Sequence, residues 1–482
     1  MMIKKLISRY NSMPISAKAS IWFIICAFLQ KGISVLTTPI FTRLLTTEEY
    51  GNYSAFNSWL GIVTVFVTLH MYSSVFQQGL VKFENDKKIY ASSMQGLSFV
   101  LFLISTIVYL CFSKFWNGLL DLTTCQFLSM LLMIWCSNVF NLWATKQRVD
   151  CKYRALVIIT LFVSILKPIV GVLLVLNFKD KVTARIIGIM IVELIGYSWL
   201  FLHDLYNGKK FYSKKYWIYA LKFNIPLIPH YLSQIVLNNT DRIMIKNMVG
   251  ASEAGIYSVA YSVSMIMTLF NNSLLQTLTP WMYKKIKANK SKEISRVAMS
   301  MLISIGFLNV LLIAFAPEVI SIFAPKSYTE AIYVIPPVAI SVFFMFEFSL
   351  FSVFEFYFEK SNMIMIASVL GAILNIILNY IFISKFGYLA AGYTTLICYI
   401  AYAIGHYIIM NKICRKKVNS KVYNGKIILL WSVFFVTCSI GLLLTYNYML
   451  IRYSIIIIFV ITLLLFRKRL YNYFANILKE YK

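Results

Sequence analysis

A line of polar side chains runs along one apolar segment near the middle of this 482-residue chain. His230, Gln234, Asn238 and Asp241 follow one another at spacings of four, four and three residues, so on a helix they share one face. Arg242 lies at the edge of that face. Imidazole and amide groups exchange hydrogen bonds with polar ligands, and a carboxylate can carry a proton or Na⁺. The pattern predicts that this face lines a polar cavity, unless Asp241 and Arg242 each serve a structural partner.

A second polar line begins at Lys31 in the first apolar segment. Ser34, Thr38 and Thr42 follow it at three, four and four residues, within one arc of a helix that Pro39 could kink. An ionisable side chain in the middle of a membrane costs roughly 2.5–3.5 kcal/mol on insertion scales and generally faces a cavity or a partner. We therefore expect Lys31 to face a cavity, where a fixed cation can hold an anionic ligand.

Two more cations are set deep in apolar segments. Lys167 precedes Pro168, so it either faces a cavity or contacts the backbone carbonyl groups that the proline leaves unpaired. Arg242 either contacts a substrate or pairs with an acidic residue of a neighbouring helix. Together with Lys31, these two residues form the predicted cationic substrate-binding set.

Three carboxylates are candidates for ion coupling. Glu193 and Glu347 are the deep ones, and Asp241 is the third. Each could carry a coupling H⁺ or Na⁺, or merely neutralise a neighbouring cation. The eight cysteines show no CxxC spacing, so the sequence predicts no metal site and no cofactor beyond the coupling ion.

The elements that must position these residues are apolar stretches of membrane-spanning length. Hydrophobic residues make up 60% of the chain and charged residues 13%, which leaves no room for a soluble domain. A membrane-spanning helix needs about 20 apolar residues. We therefore predict an all-α integral membrane protein with about fourteen transmembrane helices, near residues 20–40, 54–80, 90–113, 121–144, 153–177, 183–204, 218–247, 254–280, 296–316, 331–354, 362–384, 387–411, 427–446 and 450–466.

Basic residues between the predicted spans fall mostly on alternate sides. Most of them lie in the N-terminus, the even-numbered connections and the C-terminus. Short loops rich in Lys and Arg stay in the cytoplasm, so we predict a multi-pass protein of the bacterial inner membrane with both termini in the cytoplasm. The net charge of +28 then belongs to juxtamembrane clusters, such as Lys214 and Lys215, that attract anionic lipids. We predict no nucleic-acid partner, since nucleic-acid binding needs this charge on one folded surface.

A hexapeptide pattern recurs after the first and the seventh predicted spans. The chain reads E-x-G-x-Y-S at residues 49–54 and again at 253–258. Each copy follows the first span of a six-span set, and transporters are often built from such repeats. We expect both copies to mark equivalent turns. We predict two six-helix lobes, 1–210 and 211–412, related by a pseudo-two-fold axis along the membrane normal, and a C-terminal two-helix extension at 413–482.

Two longer segments resemble the signatures of a known family. They contain N-T-D-R-I-M-I at 239–245, with V-G at 249–250 and G-I-Y-S at 255–258, and N-x-x-x-N at 375–379, with F-G-Y-L-A-A-G at 386–392. Over about residues 15–412 the chain resembles Wzx-type flippases of O-antigen and polysaccharide repeat units. These proteins are part of the multidrug/oligosaccharidyl-lipid/polysaccharide exporter (MOP) superfamily.

The resemblance implies translocation of undecaprenyl-pyrophosphate-linked oligosaccharide repeat units from the cytoplasmic to the periplasmic leaflet. The product would serve O-antigen and lipopolysaccharide, capsule or exopolysaccharide assembly. The resemblance also implies ion-coupled alternating access rather than enzymatic catalysis. The implied partners are the lipid-linked oligosaccharide, membrane lipids, and the polymerase and chain-length regulator of the same pathway.

Two other functions remain open on the sequence alone. An ion-coupled multidrug exporter would need a net acidic pocket for cationic drugs. A membrane-embedded polysaccharide polymerase usually needs a substantial extracytoplasmic loop, and the predicted outer loops are short. The chain contains no G-x-x-x-x-G-K-S/T loop for ATP, so transport would have to be secondary.

Overall fold

The computed structural model describes residues 10, 12–417, 421–459, 461, 464–465 and 467–468. Throughout these residues the chain forms helices and turns, and no β-strand. The prediction of an all-α protein is confirmed. The termini of the chain, on which the predicted orientation depends, and most of the predicted extension beyond residue 459 lie outside the described residues.

The described residues form helices along nearly their whole length. In chain order, the α-helices are α1 Ile15–Leu44, α2 Thr47–Thr68, α3 Ser74–Lys82, α4 Lys87–Cys111, α5 Ser113–Leu120, α6 Thr124–Val149, α7 Tyr153–Asn177, α8 Lys181–Gly208, α9 Lys214–Asn224, α10 Ile228–Met248, α11 Ala251–Ser264, α12 Met267–Lys287, α13 Ser291–Ala314, α14 Ala316–Phe323, α15 Ile335–Tyr357, α16 Ser361–Phe386, α17 Leu389–Lys417 and α18 Gly425–Leu444. Short 3₁₀ helices lie at Glu84–Asp86, Ile225–Leu227 and Lys326–Tyr333.

Within the described residues, eleven helices are long and apolar enough to cross a membrane. One of the eleven is Ala251–Lys287, which comprises α11, α12 and the short join between them and matches the predicted span 254–280. The other three of the fourteen predicted spans are not matched by a long apolar helix. The predicted span 54–80 is divided between α2 and α3, and the span 218–247 is divided between α9 and α10. Of the span 450–466, the structure describes a shorter apolar helix at Met449–Phe459, and its remaining positions lie partly outside the described residues.

The breaks in the second and seventh predicted spans are in contact. Leu69 and His70 adopt the left-handed conformation, with φ of 47° and 52°, and α2 ends there. The Asn224 amide donates a hydrogen bond to the Leu69 carbonyl at 2.8 Å. The Tyr231 hydroxyl lies 3.1 Å from Ser73 Oγ, and its ring centroid lies 4.3 Å from that of His70. The two interruptions therefore hold each other in place.

Both copies of the repeated hexapeptide mark helix starts rather than turns. Before α2, the Thr46 hydroxyl accepts a hydrogen bond from the Glu49 backbone N–H, and the Glu49 carboxylate accepts one from the Thr46 N–H. This reciprocal capping box satisfies two backbone donors that the helix leaves unpaired. Glu253 occupies the same third position of α11, which begins after Gly250. The pattern thus marks the first turn of a helix twice, with a side-chain capping box at α2 and a glycine N-cap without a side-chain hydrogen bond at α11.

Contacts within the chain divide it into two compact units, Met1–Asn239 and Thr240–Lys482. The boundary falls inside α10, whereas the sequence analysis placed the lobe boundary between 210 and 211, and that placement stays a prediction. In the first unit, α8 packs along both α6 and α7, and α1 packs on α7. In the second unit, the strongly buried α15 packs along α17 and also contacts α13.

Candidate functional site

Helices α7 and α8 approach each other closely at two glycines. A Cβ atom on Gly188 would lie only 3.0 Å from the Gly171 Cα atom. Small residues allow membrane helices to come this close, since they keep side-chain bulk out of the contact. Lys167 lies about one turn before the contact on α7, and Glu193 lies about one turn after it on α8. The glycine contact therefore places these two charged side chains opposite each other.

Lys167 forms an ion pair with Glu193. The Lys167 Nζ atom lies 2.6 Å from Glu193 Oε1, and Ser137 Oγ donates a hydrogen bond to Glu193 Oε2 at 3.2 Å. The Glu193 side chain is 6% exposed and the Lys167 side chain is 30% exposed. A buried carboxylate needs a paired charge and hydrogen bonds. Lys167 therefore neutralises Glu193, and the coupling role of Glu193 and the substrate role of Lys167 stay predictions.

A polar cavity of about 270 Å³ adjoins this ion pair. Helices α1, α2, α7 and α8 supply its walls, which are lined by Gln30, Ile33, Ser34, Thr37, Phe41, Tyr53, Ser164, Lys167, Pro168, Arg185 and Ile189. Of the predicted polar line on α1, Ser34 is among the lining residues. Lys31 is exposed on α1 and is not among them. The face of α1 that meets this cavity is thus rotated by about one residue from the predicted one.

Arg185 is a charged residue of this cavity that was not predicted from the sequence. Its side chain is buried, with 8% of the residue exposed, and its guanidinium carbon lies 3.8 Å from the Phe41 ring centroid and 3.5 Å from that of Tyr53. Its Nε and Nη1 atoms are buried and have no hydrogen-bond partner among the described residues. Arg185 lies near the start of a predicted span, where a basic residue normally extends to the membrane surface. No local pattern in the sequence therefore indicates that its side chain turns inward.

Asp241 is the centre of a buried network in the second unit. Its carboxylate accepts hydrogen bonds from the Tyr257 hydroxyl at 2.8 Å, the Thr395 hydroxyl at 2.9 Å and the Asn379 amide at 2.6 Å. The Asn379 amide also donates to Asn375 Oδ1 at 3.2 Å. These residues come from α10, α11, α16 and α17. All of them except Thr395 belong to the segments that carry the family resemblance. The resemblance therefore marks residues that hold these helices together.

The other polar residues of α10 lie on either side of the unit boundary. In the first unit, Asn238 donates a hydrogen bond to the Gln234 carbonyl at 2.8 Å, and Gln234 is exposed. The His230 Nδ1 atom is buried without a hydrogen-bond partner among the described residues. In the second unit, the Arg242 guanidinium lies 4.3 Å from the Tyr261 ring centroid. Asp241 and Arg242 thus have different neighbours, as expected for adjacent residues of a helix.

Glu347 is the carboxylate with the most apolar surroundings of the three predicted for coupling. It lies on α15, is 5% exposed, and accepts a hydrogen bond from Ser432 Oγ at 3.0 Å. It also lines a cavity of about 460 Å³ whose other walls, from α15, α17 and α18, are mainly apolar. Glu193 has a cationic partner and Asp241 has three side-chain donors, whereas the hydrogen bonds described for Glu347 come from one hydroxyl. Its arrangement suits a group that takes up and releases a proton.

Two sequence-family models match the chain. The model described as "Polysaccharide biosynthesis protein" matches residues 16–286, and the model described as "MatE" matches residues 226–381. Among individual proteins, Lsg locus putative protein 1 of Haemophilus influenzae is 22% identical over 285 residues, which cover 57% of this chain and 67% of that protein. An uncharacterised membrane protein of Methanocaldococcus jannaschii is 23% identical over 416 residues, which cover 82% of this chain and 97% of that protein.

Solved transporters share the fold. The lipid II flippase MurJ in an inward closed conformation superposes with a TM-score of 0.66 and 15% identity, covering 93% of this chain and 100% of that chain. An inward-facing multidrug resistance MATE family transporter of the MOP superfamily superposes with a TM-score of 0.61 and 12% identity, covering 80% of this chain and 96% of that one. At these identities the likeness shows the fold alone, which is that of MOP-superfamily transporters.

Proposed function

Because the chain belongs to the polysaccharide biosynthesis protein family, we propose that it is a flippase for lipid-linked oligosaccharides. Its substrate is one oligosaccharide repeat unit linked to undecaprenyl pyrophosphate, moved from the cytoplasmic leaflet of the inner membrane to the opposite leaflet. The delivered units serve O-antigen, capsule or exopolysaccharide assembly, where a polymerase and a chain-length regulator act next. The observation that carries the proposal is the presence of Lys31 and Lys167 on two long apolar helices of this family member, Ile15–Leu44 and Tyr153–Asn177.

The chemistry of the substrate explains why such cations are needed. Pyrophosphate is an anion that must pass a layer of low dielectric, where an unpaired charge costs several kcal/mol. The residues proposed to offer positive charge to it are Lys31, Lys167 and Arg242. Charge-assisted hydrogen bonds to phosphate are among the stronger ones. The polyprenyl tail stays in the lipid. Lys167 has to exchange Glu193 for the pyrophosphate, and the 30% exposure of its side chain is compatible with that exchange.

The proposed energy source is an ion gradient, and Glu347 is the residue that we propose to carry the proton. It has a single described hydroxyl partner and faces an apolar cavity, so a change of its charge alters the stability of the surrounding helices. Asp241 accepts three hydrogen bonds and acts as a structural anchor. Replacing Glu347 with Gln should leave the fold intact and abolish the dependence of transport on the proton gradient.

A multidrug exporter is the less favoured alternative. The match to the MatE family model is shorter, at residues 226–381. Cationic drugs require an acidic pocket, whereas the polar cavity of the first unit contains Lys167 and Arg185 beside a single carboxylate that is already paired. The basic character of this cavity supports an anionic cargo.

Complementation of a bacterial strain that lacks its own flippase tests the proposal. Lys31→Ala and Arg242→Ala should abolish surface polysaccharide and leave lipid-linked repeat units in the cytoplasmic leaflet, while the protein remains abundant in the membrane. Lys31→Arg and Arg242→Lys should retain part of the activity, because pyrophosphate needs positive charge more than one fixed geometry. Lys179→Ala, which removes an exposed cation, is the matched control and should behave as the wild type. Full complementation by both alanine variants of Lys31 and Arg242 would refute the proposed substrate path.

A further inference from the structure

We propose that the polar cavity of the first unit is a binding site for a small anionic group, held by the guanidinium of Arg185. The inference needs only the cavity and its charges, so it holds even if the proposed transport function fails. The same cavity also contains Lys167 of the proposed substrate path. Arg185 is not one of the three cations that we propose for the substrate path.

The charges around the cavity do not balance without an anion. Lys167 is neutralised by Glu193 at 2.6 Å, so the described side chains that line the cavity leave the charge of Arg185 without an acidic partner. Arginine remains charged in proteins. Burying a charge is costly unless it is paired and hydrogen-bonded. The site is therefore built to receive a negative charge.

The contacts of Arg185 orient its hydrogen-bond donors without occupying them. Phe41 and Tyr53 hold the guanidinium carbon at 3.8 and 3.5 Å from their ring centroids. Cation–π contacts of this kind contribute about 0.5–2 kcal/mol, but they use the faces of the guanidinium and leave its N–H groups unbound. Nε and Nη1 are the buried atoms without a partner among the described residues. Both atoms lie in the guanidinium plane, and their N–H groups can donate charge-assisted hydrogen bonds to carboxylate or phosphate oxygens.

The size and walls of the cavity define the class of ligand. A volume of about 270 Å³ is just below the usual range for small-molecule sites, roughly 300–1,000 Å³. It accommodates one phosphate, carboxylate or halide with a few waters, and excludes a whole oligosaccharide. Gln30, Ser34 and Thr37 of α1 supply the polar wall on another side. The ligand is therefore a free inorganic anion or the charged group of a larger molecule, which share the same chemistry.

Thermal unfolding of the purified full-length protein tests this inference. Sodium gluconate is replaced stepwise by chloride, phosphate or pyrophosphate at constant pH and ionic strength. The wild type should show a saturable rise of the unfolding midpoint with at least one small anion, and Arg185→Gln should lose it. Arg185→Lys should need about tenfold more anion for half the effect, because a lysine cannot form the planar fork. Lys179→Gln removes an exposed positive charge close to the start of the same helix and should respond as the wild type does.

A second measurement covers the case in which Arg185→Gln does not fold. Crystals of the wild type soaked in iodide should show an anomalous peak within hydrogen-bonding distance of the Arg185 guanidinium. Displacement of this iodide by farnesyl pyrophosphate would identify the pyrophosphate of a lipid-linked molecule as the ligand, and displacement by inorganic anions alone would identify a free anion. Both outcomes support the anion site. The absence of the peak, or an equal response to anions in Arg185→Gln and the wild type, would overturn it.

Discussion

Replacing Lys167 with Met separates the structural role of this lysine from its role in transport. The change removes the positive charge and keeps much of the apolar volume, so Glu193 is left buried without its cation. Breaking a buried ion pair by removing one partner costs about 3–5 kcal/mol. The Lys167 side chain is 30% exposed, so solvent already screens that end of the pair. We therefore expect a loss near the lower limit, about 3 kcal/mol.

The double variant Lys167→Met with Glu193→Gln should recover most of that stability. Without the carboxylate there is no uncompensated charge, and Ser137 can still hydrogen-bond the amide. Replacing a buried ion pair by neutral groups of similar volume is often neutral for stability. If Lys167 also contacts the pyrophosphate, the double variant should be stable and still fail to export polysaccharide.

Two quantities are measured for each variant: the unfolding midpoint of the purified protein, and the amount of surface polysaccharide in a complemented strain. Glu193→Gln alone is the matched control for loss of the carboxylate. A Lys167→Met protein as stable as the wild type would refute the energetic argument for the ion pair. A double variant that regains both stability and export would show that Lys167 serves only to neutralise Glu193.

Three further predictions concern packing and orientation. Asp241→Ala should lower the free energy of unfolding by several kcal/mol, because three buried donors lose their acceptor. It should also lower the amount of protein in the membrane, and Asp241→Asn should have a milder effect; immunoblotting of membranes measures the amount of both variants. Gly188→Val should separate α7 from α8 and lower the unfolding midpoint, whereas Gly32→Ala, with nothing within 4 Å of the added atom, should be tolerated. Reporter fusions should be active in the cytoplasm after Lys290 and in the periplasm after Lys326, and the reverse pattern would refute the predicted topology.

The helices could be predicted from the sequence because each span is a long apolar run, which is a strong and local signal. The interruptions could not. Leu69 and His70 are ordinary residues for a helix, and their left-handed conformation depends on contacts with Asn224 and Tyr231, which are distant in the sequence. No local composition at residues 69–73 indicates that a helix ends there.

The candidate site could be predicted in part. The position of Lys167 beside a proline indicated a special role, but its pairing with Glu193 depends on how closely α7 and α8 approach at their glycines. Helical spacing also shows which residues share a face of one helix, but it does not show which neighbouring helix packs against that face. For that reason the line beginning at Lys31 was predicted to meet a cavity, whereas the face that meets the cavity of the first unit includes Gln30 and Thr37.

The break in the second span has a consequence for the hydrocarbon layer around it. Lipid offers no hydrogen bonds, so a carbonyl freed where a helix ends inside a membrane must find a partner within the protein. The Leu69 carbonyl finds it in the Asn224 side chain, 155 residues further along the chain. The interruption of the second span is therefore stable only while the start of the seventh span remains in contact with it. The backbone of the second span thus depends on a side chain of the seventh span for a hydrogen bond. Neither segment can be straightened or replaced without a change in the other.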